Sequence, residues 1–437
     1  MSLSEAPATA ARAEGDDGNL LALAGVALVA GVAAGLLGAA FSLSLQRAAQ
    51  VFSALIAWAQ DNSIVGFLSL AAICALATAF AARWVRRYSK YASGSGIPQV
   101  ECVLSGELPP ARRGLILVKF VGGTFAIGAG LALGREGPCV QMGADAAFWI
   151  GRLFRRTWSD SLVLMAAGAG AGLATAFNAP IAGAIFVLEE LVRRFDTRTT
   201  IATFAASASA IAVSRLFLGQ GPVFHIAPSP YPAFGALPIY LCLGILAGLL
   251  GVIYNRTLVG ALTWVDRLGG WPAALFPAMV GALVGGIAWF QAGLVGGGDA
   301  ITQSTLIGAV ALSTVPLVFL LRFALGSLSY AARTPGGLFA PMLVLGAQSG
   351  WLFATVCNHF FPTIALDPKL FAVVGMAAFL TAVVRAPLTG IVLIIEMTNS
   401  FALLLPMLGA CFTAMLVPTL LGNEPIYDSL KKRMLQQ

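Results

Sequence analysis

Residues 134–144 read GREGPCVQMGA and set one carboxylate, Glu136, among Gly134, Gly137 and Pro138 inside an otherwise apolar stretch. A carboxylate in hydrocarbon costs from roughly 3 to over 10 kcal/mol, so a chain keeps one where something charged must pass, bind or be displaced. The flanking glycines and proline suit a turn running into a helix start, where backbone N–H groups are free to meet an anion. Two other segments share the form. GSGIP (94–98) offers the Ser95 hydroxyl between glycines with Pro98 in the first helical turn. GGLFAP (336–341) leaves the N–H groups of Leu338 and Phe339 uncovered ahead of Pro341. Helix N-termini carry partial positive charge and unpaired donors. Three of them converging would replace much of an anion's hydration without a buried Lys or Arg that holds the ion too tightly to release it. The expected chemistry is passage of an anion through a bilayer, with Glu136 competing for the anion's place.

The elements that must position these residues are membrane helices. Of 437 residues, 58% are hydrophobic and 10% charged, against about 25% charged in soluble domains. Mean hydropathy is +0.86. A soluble globule of this length could not hide that apolar surface, whereas helices in lipid need not. The 49 glycines and 22 prolines imply close helix contacts and broken helices. The fold class expected is an all-α, polytopic membrane protein. Residues 1–19 carry Glu5, Glu14, Asp16 and Asp17, the wrong charge for a secretory leader, and read as a cytoplasmic tail. Six cysteines lie singly with no CxxC, and His225 and His359 are isolated, so neither a disulfide frame nor a metal or other cofactor is expected.

The net charge of +7 is spread over segment ends: Arg83, Arg86, Arg87 and Lys90; Arg112 and Arg113; Arg152, Arg155 and Arg156; Arg193, Arg194 and Arg198; Lys431, Lys432 and Arg433. These ends should face the cytoplasm. No continuous basic face exists for nucleic acid, which is not expected as a partner. Apolar segments run from Leu20 to about Val51, from about Ile64 to Ala82, densely through 114–217, and again over 237–421. The stretch 221–238 holds no Lys or Arg and should lie outside. The second half then starts from the opposite side of the membrane. The halves also align. Residues 118–144 lie over 321–347 at an offset of 321 − 118 = 203, pairing Lys119–Phe120 with Arg322–Phe323 and Pro138 with Pro341. Residues 165–190 lie over 372–397 at 372 − 165 = 207, pairing Pro180 with Pro387 and Glu189 with Glu396. The organisation expected is a tail at 1–19, a first repeat at 20–218, an extracytoplasmic linker at 219–238, an inverted second repeat at 239–421, and a cytoplasmic C-terminal helix at 422–437 bearing Tyr427. Inverted repeats place an ion site at the midplane, using half-helix termini.

GSGIPQVE, GREGPCVQMGA and GGLFAPMLVLGA resemble three signature segments of the CLC family of chloride channels and chloride/proton exchangers, and EPIYD (424–428) resembles the fourth. The resemblance spans about residues 20–433 and is nearest the bacterial exchangers. It implies a homodimer with one pore per subunit, in a bacterial inner membrane with both termini cytoplasmic. Carried over by position, Ser95, Leu338, Phe339 and Tyr427 are the chloride-binding residues. Glu136 resembles the external gating glutamate, and Glu190 the internal glutamate that hands protons between cytoplasm and pore. An acid at 190 favours exchange of chloride for protons over a passive chloride channel, the alternative in the same family. Serine at 95 resembles the chloride-preferring members rather than the nitrate-preferring ones.

The run AARTPGG (331–337) departs from the family's usual small residues. The chain ends at Gln437, so the nucleotide-binding domains of many eukaryotic members are not expected. Glu189 and Glu396 read as helix-end carboxylates paired with nearby arginines, and Lys119, Arg322 and Arg135 as structural counter-charges near half-helices. An intramembrane enzyme would need a nucleophile–base pair or a metal. No HExxH or GxSxG is present, and no enzyme activity is expected.

Overall fold

The protein is described from a computed structural model covering residues 20–112, 114–227, 232 and 234–436. The expected tail at 1–19, Arg113, residues 228–231 and 233 of the expected linker, and Gln437 lie outside the described residues. Among those described, the chain is almost wholly helical, with two isolated bridges as its sole β-type pairing. The first eight helices are α1 (Leu20–Asp61), α2 (Ser63–Tyr88), α3 (Ile97–Leu104), α4 (Gly114–Gly128), α5 (Glu136–Leu153), α6 (Trp158–Phe177), α7 (Pro180–Phe186) and α8 (Thr197–Leu218). Nine follow: α9 (Leu237–Leu268), α10 (Gly270–Phe290), α11 (Asp299–Leu306), α12 (Val315–Ala331), α13 (Phe339–Phe360), α14 (Pro368–Val384), α15 (Pro387–Thr398), α16 (Leu404–Leu420) and α17 (Ile426–Leu435). Among the described residues, eight helices are long and apolar enough to cross a membrane.

The order of long and short helices in α1–α8 recurs in α9–α16, and equivalent positions do equivalent work. Asn178 (φ 53) ends α6 and Arg385 (φ 73) ends α14, both left-handed and each followed by Ala-Pro opening the next helix. Glycines let α5 touch α6 backbone to backbone: a Cβ on Gly143 would sit 2.4 Å from the Gly168 carbonyl oxygen. Gly346 and Gly375 do the same for α13 and α14, at 2.6 Å. Such small-residue contacts are how helices associate where lipid supplies no hydrophobic drive. Met165–Phe177 and Leu370–Val384 are buried all round, so α6 and α14 form the centre. The outer helices turn Leu28, Leu36, Leu76, Trp264 and Phe290 outward, an apolar surface suited to lipid.

One boundary differs from expectation. The helix expected to stop near Val51 continues to Asp61, and the expected break at 51–63 shrinks to a turn at Asn62. VFSALIAWAQ contains no Gly or Pro to stop it, and Ile56 and Ala59 are buried. Gly66 of α2 lets Ala59 approach so closely that a Cβ there would meet its carbonyl at 1.9 Å.

Candidate functional site

The three half-helix starts meet. Gly96 takes φ 84, which ends the preceding extended segment and launches α3 with Pro98 in its first turn. The loop before α13 lies across this start: the Gly94 N–H donates to the Thr334 carbonyl at 3.0 Å, and the Gly336 N–H to the Gly94 carbonyl at 3.0 Å. The loop before α5 joins the same loop, with Gly134 and Gly337 exchanging N–H···O=C bonds at 2.9 and 2.7 Å. A Cβ on Gly137 would fall 2.7 Å from the Ser95 backbone, so α3 and α5 also abut.

Glu136 lies in this junction, fully buried. Its Oε1 accepts from the Phe339 N–H at 2.7 Å and from the Ala340 N–H at 3.4 Å, the first amides of α13. Among the described residues its Oε2 has no hydrogen-bond partner. The carboxylate thus occupies a helix N-terminus, the place that suits an anion. Only glycines fit around it: a Cβ at Gly134 would stand 2.0 Å from Oε2, and one at Gly337 2.3 Å from Oε1. Ser95 is buried, its hydroxyl accepting from the Ile97 N–H at 3.3 Å while its own N–H donates to the Tyr330 hydroxyl at 3.4 Å. Leu338 is the buried N-cap residue of α13. Tyr427, on α17, is fully buried with its ring stacked on Phe339 at 6.2 Å, and its hydroxyl has no hydrogen-bond partner among the described residues.

Glu190 lies apart from this junction, in a single π turn over Val187–Leu191 that follows α7. Its side chain is buried, with Oε1 3.7 Å from Arg193 Nη2. Arg193 also holds Asp428 of α17 at 2.7 Å, so this cluster borders the helix that bears Tyr427. Glu101 of α3 is a further buried carboxylate whose electrostatic neighbours are Glu190, Arg193, Asp428 and Lys431.

The supporting charges partly depart from expectation. Lys119 donates to the Ala92 and Gly94 carbonyls at 3.1 and 2.7 Å, pinning the approach to α3. Its repeat mate Arg322 donates to the carbonyls of Leu294, Gly296 and Gly297, pinning the approach to α11. Arg135, the residue before α5, likewise bonds a backbone carbonyl: its Nε donates to Ala176 at 3.1 Å, near the end of α6. Glu189 and Glu396 are held by helix-start amides, and Arg215 acts on Glu396 besides. Glu189 accepts from the Leu388 and Thr389 N–H groups at 2.9 and 2.7 Å and from the Thr389 hydroxyl, capping α15. Glu396 accepts from the Ile181 and Ala182 N–H groups at 3.1 and 2.8 Å, capping α7. The free donors of a helix start satisfy a carboxylate better than a solvated guanidinium does.

Residues 77–419 match the family model described as voltage gated chloride channel. The chain belongs to the voltage-gated chloride channel family. Within that family it is 36% identical over 416 residues to an "H(+)/Cl(-) exchange transporter ClcA" of Yersinia pseudotuberculosis serotype IB (strain PB1/+), covering 94% of this chain and 87% of that one. It is 35% identical over 417 residues to the protein of the same name from Vibrio parahaemolyticus, covering 94% and 89%. It superposes on the crystal structure of a slow cyanobacterial Cl-/H+ antiporter with a TM-score of 0.91 at 34% identity, over 95% of this chain and 98% of that one. A CLC-type fluoride/proton antiporter shares the fold, with a TM-score of 0.75 at 23% identity over 94% and 98%.

Sequence reasoning missed several parts of this voltage-gated chloride channel family member's site. Ala340 and Tyr330 touch Glu136 and Ser95 respectively, and only the packing of α12 and α13 reveals them. Glu101 and Asp428 stand inside GSGIPQVE and EPIYD, so each motif carries an acid beyond the hydroxyl it was read for. Among the described residues no group of three or more His, Cys, Asp or Glu is placed to hold a metal.

Proposed function

We propose that this protein is a secondary active antiporter exchanging chloride for protons, with Glu136 as external gate and proton carrier and Glu190 as the internal proton residue. The observation that carries the reading is the bond from the Phe339 N–H to Glu136 Oε1 at 2.7 Å: the protein's own acid occupies an anion-binding helix terminus. Ionised, the carboxylate excludes chloride from those donors. Protonated, it loses the charge that holds it there, swings away, and chloride takes the N–H groups of Phe339 and Leu338 beside the hydroxyls of Ser95 and Tyr427. Each displacement of the carboxylate moves one proton, which ties anion movement to proton movement. Glu190, buried near the Asp428 end of the helix bearing Tyr427, relays that proton to the cytoplasm. The exchanger names of the relatives favour coupling over a passive channel.

The surrounding assignments belong to the same reading. Residues 20–218 and 239–421 form the two inverted repeats, supported by the matched roles of Lys119 with Arg322 and Glu189 with Glu396. Residues 219–238 are the extracytoplasmic linker, and the tail at 1–19 and the helix at 422–437 are cytoplasmic. The protein works as a homodimer with one pore per subunit in the bilayer of a bacterial inner membrane. The test is the reversal potential of purified protein in lipid under a chloride gradient, with and without a pH gradient. A pH gradient is expected to move it away from the chloride equilibrium value; a potential that tracks chloride alone at every pH makes the protein a channel.

A further inference from the structure

The AARTPGG run places a cation where anion exchange does not by itself require one. Beside the start of α3 lies a cavity of about 150 Å³, bordered by Gly94, Gly96 and Tyr330. Its charged lining residues are Lys90, Arg333 and Arg433, all cations. The cavity on the other side of the junction is lined by one cation and two acids, Arg135, Glu136 and Asp299. The two mouths therefore differ in charge.

Arg333 precedes α13 and Arg433 belongs to α17, and both pair with Asp266 of α9, the first at Oδ1 and the second at Oδ2. Arg433 also donates to the Thr263 hydroxyl at 2.9 Å. Two guanidiniums on one carboxylate leave a surplus positive charge, and Lys90 adds another. Arg333 is 43% exposed, so its charge faces the water that an incoming ion must leave. Its backbone takes φ 56 directly after the C-cap of α12, the left-handed turn with which Asn178 and Arg385 also end their helices and which glycine adopts freely. The carbonyl of Arg333 accepts from the Ser93 hydroxyl at 3.2 Å, so the guanidinium rides on the loop that lies across the α3 start.

We propose that Arg333, held by Asp266 beside Arg433, is an anion-capture residue that draws chloride into this cavity from the cytoplasmic face. The inference rests on the transport reading above and adds a residue and a side to it. A cleft lined by one sign of charge focuses the field and raises the local concentration of the opposite ion. The effect weakens as salt shortens the screening length, about 8 Å at physiological ionic strength.

The experiment measures the chloride concentration giving half-maximal flux from each face, using inside-out and right-side-out membrane vesicles at low ionic strength. Arg333→Gly removes the charge and relaxes the backbone, so folding is preserved. It is expected to raise the half-maximal cytoplasmic chloride by at least about threefold, leave the external value and the proton coupling unchanged, and lose its effect when gluconate is added. Arg333→Lys is expected to restore the native cytoplasmic value. An unchanged cytoplasmic value in Arg333→Gly overturns the proposal, as does an equal change at both faces that Arg333→Lys fails to rescue. Absence of chloride flux in the unmodified protein instead overturns the transport reading, and the proposal with it.

Discussion

Gly134→Ala separates the position of the Glu136 carboxylate from its charge. A Cβ at 134 would lie 2.0, 2.4 and 2.5 Å from Glu136 Oε2, Oε1 and Cδ. All three atoms belong to the free end of one side chain, so that side chain gives way rather than the backbone. It must retreat by about 1 Å or more to reach ordinary contact distance, and the 2.7 Å bond from Phe339 is then lost. A hydrogen bond to a charged group is worth about 1.5–3 kcal/mol, and a negative charge at a helix N-terminus about 0.3–1 kcal/mol more. Together, about 2–4 kcal/mol moves the balance between bound and released carboxylate by roughly 30-fold to several hundred-fold. Chloride binding to purified protein, measured by titration calorimetry, is expected to tighten by at least about tenfold. Glu136→Gln should match that affinity, with chloride flux that no longer follows external pH and no proton coupling. Gly134→Ala retains a titratable acid and should keep some proton movement. If a folded Gly134→Ala protein binds chloride with native affinity, the carboxylate and the anion do not share the α13 terminus, and the competition model is wrong.

Three further outcomes are expected. Glu190→Gln keeps the side-chain size but carries no proton, so proton flux should stop while chloride flux persists; near-native proton uptake would move the relay to Glu101 or Glu189. Ser95→Pro removes the donor to Tyr330 and the hydroxyl bonded by Ile97, and relative permeability should shift from chloride toward nitrate; unchanged permeability places the selective contact elsewhere. Glu189→Ala strips two amides and a hydroxyl at the α15 start of their acceptor and should destabilise the protein by about 2–4 kcal/mol. Thermal unfolding in detergent reads the loss, and an unchanged midpoint would mean water replaces the cap.

The half-helix starts are legible in sequence because Gly96, Pro98 and the glycines before α5 and α13 act on their own backbone, within a residue or two. The membrane setting is legible because composition reports it directly. What stays hidden depends on contacts between distant residues. Glu136 meets Phe339 and Ala340 across 203 and 204 residues, and no local pattern names those amides. Glu189 and Glu396 show the same limit from the other side. Their repeat equivalence is visible, yet a carboxylate near arginines reads as an ion pair until folding brings an uncapped helix start closer. The length of α1 is hidden for a different reason: VFSALIAWAQ has a helix former's composition, while only the contact with Gly66 shows where the chain turns.

The exchanged caps of α7 and α15 bear on how the chain is made. A ribosome releases α7 long before Glu396 exists, and until then the amides of Ile181 and Ala182 lack their acceptor. Glu189, already synthesised, meanwhile waits for the amides of Leu388 and Thr389. Neither half can finish its own helix start, so each is an incomplete folding unit whose defect is the other's complement. A chain halted after α8 would keep the α7 start without its Glu396 acceptor and Glu189 without its donors.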